Sequence, residues 1–140
     1  MDQSVKEAIY RAVDKEPFSR AMNMKLVSLE SGHSIVEMNY VPETMNNIYD
    51  MAHGGAIFAL IDEAFETAGQ TDGTVAVALN VNVTYVSSPE AGTRLRAEAR
   101  EVSRTKKTAV YDIKVTGHNE HLIAKCQALA YRTGKPIPFL

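Results

Sequence analysis

The sequence predicts an α+β domain: a curved antiparallel sheet of about six strands around one long central helix, with a further helix at the N-terminus. Three observations carry this expectation. Val75, Val77, Leu79, Val81, Val83 and Tyr85 alternate with Ala76, Ala78, Asn80, Asn82 and Thr84, the period of a long strand with one apolar face. In "AHGGAIFALIDEAFETAG", residues 52–69, Ile57, Leu60, Ile61, Ala64, Phe65 and Ala68 spread over half a helical circumference, so that helix must be embraced by other structure. After it, the patterning is strand upon strand.

The 140 residues suffice for one domain, 1–140, and not for two. In chain order, Ser4 and Glu7 form a capping box, and Val5, Ala8, Ile9, Ala12 and Val13 recur at helical spacing until Pro17, giving a helix over about 4–15. "MKLVSLE" and "SIVEMNYV" read as a hairpin whose "SGH" turn takes its positive φ from Gly32. Residues 42–52 lack a period and read as a loop. The long helix starts near Gly54 or Gly55 and stops at Gly69, a residue suited to the left-handed position after a helix. Strands are expected over 74–87, 93–104, 108–116 and 121–132, with a tail over 133–140.

Composition excludes several classes. A net charge of −2 with 45% hydrophobic and 23% charged residues suits a soluble globular protein and offers no basic field for nucleic acid. No run of about 18 uncharged apolar residues predicts a membrane span, and the acidic start lacks a signal-peptide core. The cytoplasm is the expected location. Cys126, the single cysteine, excludes an intrachain disulfide and reads as core. His118 and His121 flank a turn without further ligands, so no metal site is expected there.

The central helix also carries chemistry. Asp62, Glu63 and Glu66 share its remaining arc, and the plainer reading is a solvated polar face. Against it, Asp62 and Glu66 repel at i and i+4 with no basic residue on the helix to offset them. His53-Gly54-Gly55 places side-chain-free residues at the first turn, where unpaired amides and the helix dipole suit an oxygen gaining negative charge; the glycines alone fit equally a flexible helix start. Gly54 and Asp62 are separated along the axis by about 12 Å at 1.5 Å per residue. Amides and carboxylate can therefore meet on one carbonyl only if a second, roughly antiparallel copy supplies one of them, which predicts an isologous dimer.

"NNIYDMAHGGAIFALIDEAFETAG" resembles the central helix of hotdog-fold acyl-CoA thioesterases, in the branch of the phenylacetate-pathway and 4-hydroxybenzoyl-CoA enzymes. "NVNVTYVSSPEAGTRLRAEAREVSRTKKTAVYDIKV" is similar to the family's following strands, so the resemblance covers about residues 20–132. It implies a homodimer or a homotetramer built from dimers, and hydrolysis of an acyl-CoA thioester with no cofactor or metal, coenzyme A being part of the substrate. By position it implies that Asp62 is the catalytic base or nucleophile, that Gly54 and Gly55 polarise the carbonyl, that His53 orients and packs, and that Asn47 lines the site. A hydroxyl some relatives carry after the helix falls at Ala78 here, with Asn80 the nearest polar neighbour, and Glu63 stands beside Asp62 as a second acid. Arg104, Lys106 and Lys107 at a turn, with Arg94 and Arg96 on the strand before it, are candidates to hold the coenzyme A phosphates; charged sheet edges are the plainer account. Phe58, Phe65, Met45, Ile48, Tyr49 and Met51 are candidate lining for an aryl or medium-chain acyl group, with core packing as the alternative. The rival function is a non-catalytic hotdog module that binds acyl-CoA.

Overall fold

In the computed structural model, which describes residues 1–140, the N-terminal segment folds as two short helices, α1 (Gln3–Val13) and α2 (Pro17–Ala21). The cap of α1 is Asp2, not the Ser4 expected: its carboxylate accepts the Ser4 and Val5 amides, and Ser4 donates its hydroxyl back to Asp2. An acceptor two residues upstream thus moves the helix start forward. Pro17 ends one helix and opens the next at the position where a missing N–H costs nothing.

The chain continues through β1 (Lys25–Glu30), β2 (His33–Asn39), a short α3 (Pro42–Met45) inside the expected loop, and the long α4 (Gly54–Gly69). Strands β3 (Thr74–Tyr85), β4 (Arg94–Arg104), β5 (Thr108–Thr116) and β6 (Leu122–Pro136) follow, a single 3₁₀ turn (His118–Glu120) preceding β6. Gly32 has the positive φ, 64°, its turn required. The six strands form one antiparallel sheet in the order β1-β2-β4-β5-β6-β3.

α4 lies across the sheet's inner face. Leu60, Ile61, Ala64 and Ala68 are wholly buried with Val36, Leu95, Ala97, Ile113 and Val115 from the strands. Each large aliphatic group so buried contributes about 1.5–3 kcal/mol. Phe65 meets Tyr111 edge to face at 5.2 Å between ring centroids. Gly69 is not left-handed; it belongs to the helix, and the positive-φ residue is Gly73 (81°), three residues past the Gln70 cap. A Cβ on Gly69 would stand 3.4 Å from that of Ala76, so this glycine sits where helix and β3 come together.

β3 behaves unlike the other long strands. It pairs with β6 on one side only, and a bulge between Ala78 and Asn80 interrupts its register. Val75, Val81 and Val83 pack on the core, but Val77 and Leu79 from the same apolar series are exposed, Leu79 by 59%. The expected single buried face is therefore only half realised within one chain. The expected tail is shorter than 133–140: β6 runs to Pro136, and Ile137 is buried with its amide donating to the Gly73 carbonyl at 3.0 Å. No helix is long and apolar enough to cross a membrane.

Candidate active site

The residues around the start of α4 are built by local hydrogen bonds. Asn47 accepts the Tyr49 and Met51 amides on its side-chain oxygen, at 2.9 and 3.1 Å, which folds residues 47–51 into a tight turn. That turn delivers His53, whose amide donates to the Met45 carbonyl at 2.7 Å, to the N-cap of α4. His53 Nδ1 accepts the Gly55 amide at 2.8 Å. The ring nitrogen facing the helix is thus unprotonated, and the proton of the neutral ring is on Nε2.

This corrects the expected pair of amides. Gly55 N–H is taken by His53, whereas Gly54 N–H meets no acceptor within the chain. The Tyr85 hydroxyl donates to the Gly54 carbonyl at 3.1 Å, and a Cβ on Gly54 would lie 3.1 Å from Tyr85 Cζ. Gly54 is needed for this close approach, and one donor, not two, faces outward with the helix dipole behind it.

Asp62, two turns along, reaches the surface on the wall of a cleft of about 410 Å³ shared by α4 and β3, lined also by Phe65, Glu66, Val75, Val77, Ala78 and Phe139. Burial among these groups raises its carboxyl above the ordinary value. Glu66, its like-charged neighbour on the helix, is raised as well, by burial first and then by the charges of Glu16 and Asp62. Glu63, beside it in sequence, points the other way and is only 3% exposed. Burial first, then the charges of Glu16 and Glu66, pushes its carboxyl up to about 8, so it is a neutral acid at pH 7.

Other expected site residues lie elsewhere. Arg104 pairs with Asp72 at 2.9 Å and Glu101 at 2.7 Å, and Arg94 and Arg96 pair with Glu37, so these cations are already neutralised. Lys106 is exposed and unpaired, and Lys107 stands 5.6 Å from the Tyr131 ring centroid. Both belong to the β4–β5 turn, at the Thr74 end of the sheet and away from Gly54. Asn80 is exposed on the β3 edge and Phe58 half-buried on α4; neither lines the Asp62 cleft. Met45 is core, while Ile48, Tyr49 and Met51 are exposed, Ile48 by 89%. Burial raises the Cys126 thiol to about 11, as fits a core residue. Sequence reasoning did not single out Glu16, Gln70 or Phe139, all beside the α4 acids; no motif marks them, because long-range packing alone brings them there.

A long helix laid across a six-stranded antiparallel sheet, opened by His-Gly-Gly and followed by an acid at its middle, defines a hotdog-fold thioester hydrolase. The chain belongs to the thioesterase superfamily, whose family model matches residues 49–124. It is 27% identical to the acyl-coenzyme A thioesterase PaaI of Escherichia coli over 89% of this chain and 88% of that one. The structure of E. coli PaaI superimposes with a TM-score of 0.90 over 95% and 96% of the two chains, at 26% identity. A protein of Archaeoglobus fulgidus, provisionally named an esterase, is 32% identical over 99% of this chain and 87% of its own. The structure of smu.793 from Streptococcus mutans, bound to acetyl CoA, matches with a TM-score of 0.77 and 34% identity over 82% and 92%.

Proposed function

We propose that the chain hydrolyses acyl-CoA thioesters, of aryl or medium-chain acyl groups, in a site shared by two copies. The observation that carries this is the separation of the two reactive groups: an outward Gly54 amide at one end of α4 and the raised Asp62 carboxylate about 12 Å along it. A two-fold axis beside β3 would bring the amide of one copy to the carboxylate of the other. Support for that axis comes from β3 itself, an unpaired twelve-residue edge with exposed Val77, Leu79, Tyr85 and Val86. Edges of this kind are normally blunted or covered.

In this reading the Gly54 amide polarises the thioester carbonyl and stabilises the oxyanion, worth about 3 kcal/mol for one such donor. Asp62 takes the proton of an attacking water or attacks the carbonyl itself; burial raises its carboxyl and so makes it a stronger base than an exposed aspartate. The thiolate of coenzyme A leaves. His53 holds the helix start, Asn47 the turn before it, and Lys106 and Lys107 remain the free cations for coenzyme A phosphates. Neither a resident cofactor nor a metal takes part in the reaction. The likeness to PaaI and to a protein bound to acetyl CoA supports the acyl-CoA substrate.

The test is complementation. Asp62→Asn and Gly54→Pro chains, each inactive alone in free-thiol release from short, medium-chain and aryl CoA thioesters, are unfolded, mixed and refolded together. If the site is shared, mixed dimers hold one intact site, and activity returns to about a quarter of wild type. No return on mixing, with each variant alone folded and dimeric, places both groups in one chain and ends the shared-site reading.

A further inference from the structure

We propose that Glu16, Glu63 and Glu66 bind one hard divalent cation, which fastens the N-terminal helical segment to α4. One carboxylate oxygen from each lies within 4.8 Å of the others. Oxygens on a common ion, at bond lengths of about 2.0–2.6 Å, can be no farther apart than about twice that. Glu63 and Glu66 are one turn apart on α4, and Glu16 precedes α2 at its N-cap, where its side chain caps nothing.

The second observation is Glu63 itself. It is only 3% exposed, and although Glu16 lies within hydrogen-bonding reach of the same carboxyl group, its Oε1 has no partner. Buried carboxyl groups are normally satisfied, and an orphaned one demands an explanation. None of the ten ion pairs in the molecule involves Glu16, Glu63 or Glu66, although Lys15 lines the neighbouring hollow.

The chemistry of the donors narrows the ion. Three oxygens with no nitrogen or sulfur suit Mg²⁺, Mn²⁺ or Ca²⁺ over Zn²⁺ or Cu²⁺. Beside the trio a hollow of about 330 Å³, lined by Glu16, Glu66, Thr67 and Gln70, has room for the waters these ions retain. The site fastens the fold and is assigned no step of thioester cleavage, although Glu66 also lines the Asp62 cleft.

The experiment uses the full chain after chelator treatment, titrated with Mn²⁺ at pH 7.5 while the free-ion paramagnetic resonance signal is followed. Thermal unfolding is recorded in parallel with Mn²⁺, Mg²⁺ and Ca²⁺. Expected are saturable binding of one Mn²⁺ per chain and a melting temperature raised by several degrees. Glu63→Gln and Glu16→Gln should each weaken binding by roughly ten-fold or more, while Asp112→Asn, on the far sheet surface, leaves it unchanged. Glu16→Gln, at a half-buried turn, keeps the test decisive should Glu63→Gln fail to fold. Absence of saturable binding up to about 10 mM, or equal binding by Glu16→Gln, overturns the proposal.

Discussion

The two sides of α4 place neighbouring carboxyl groups in opposite circumstances. On the cleft side, Asp62 reaches the surface with its carboxyl raised by burial. On the opposite side, Glu63 is sealed beneath the N-terminal segment, raised to about 8 and surrounded by Glu16 and Glu66. One residue step, about 100° of helix, separates a carboxyl on the cleft wall from one committed to the interior. The difference teaches that the acidic arc of this helix is two features, one open to the cleft and one enclosed by the fold.

The comparison breaks first at Asp62. Asp62→Asn should lower kcat/KM for CoA thioesters by about 10²–10⁴-fold, the usual contribution of a positioned base, while the melting temperature stays constant or rises. A variant retaining near-full turnover would move the reactive role to the other side of the helix. Next in size is Gly54→Pro. His53 already has the extended φ and ψ, −65° and 132°, that a following proline requires, and proline is tolerated at the first helical position. The substitution therefore deletes the outward N–H with little cost to the helix, and the rate should fall by about 10²–10³-fold. Gly54→Ala is its control: the amide stays, but a Cβ crowds Tyr85 Cζ at 3.1 Å, so steric damage and donor loss are distinguished by comparing the two rates.

Much of this contrast was readable in the sequence, and its limits are physical. The Ile57, Leu60, Ile61, Ala64, Phe65 and Ala68 stripe gave the embraced helix, because periodicity reports burial directly. Spacing to His53-Gly54-Gly55 singled out Asp62, and the structure puts it on the wall of a cleft. The burial of Glu63 was not, because it depends on where residues 13–21 come to rest across α4, a long-range packing choice that leaves no local pattern. Similarly, Gly55 looked as available as Gly54 until the His53 ring proved to be its acceptor, and rotamers are not encoded in spacing. The β3 alternation was correct as a strand, yet which positions are covered depends on the bulge at Ala78/Asn80 and on β3 lying at the edge.

A smaller effect sharpens the buried side. Glu63 ionises near pH 8 when folded and at an ordinary 4.5 when unfolded, so between these values unfolding releases a proton. Stability of chelator-treated protein should then fall as pH rises through that window, by up to about 1.4 kcal/mol per pH unit for one group, and level off above it. Glu16, Glu66 and Asp62 are raised too and act in the same sense, so in Glu63→Gln the slope should shrink without vanishing. Urea unfolding of both proteins from pH 5 to 9 measures it, and parallel slopes would mean that Glu63 is ionised inside the fold.

The smallest effect asks whether the first turn of α4 is arranged for stability or for a ligand. His53 supplies the N-cap acceptor for Gly55, so His53→Ala should cost about 1 kcal/mol of stability and leave two outward amides where wild type has one. His53→Asn restores an acceptor of comparable reach, and its melting temperature should return toward wild type. If turnover follows stability across the three proteins, His53 acts only through the helix start. If His53→Ala is slower than its modest stability loss explains while His53→Asn recovers, the acceptor at position 53 is what keeps Gly54 as the single outward donor, and the first turn of α4 is arranged for a ligand as well as for stability.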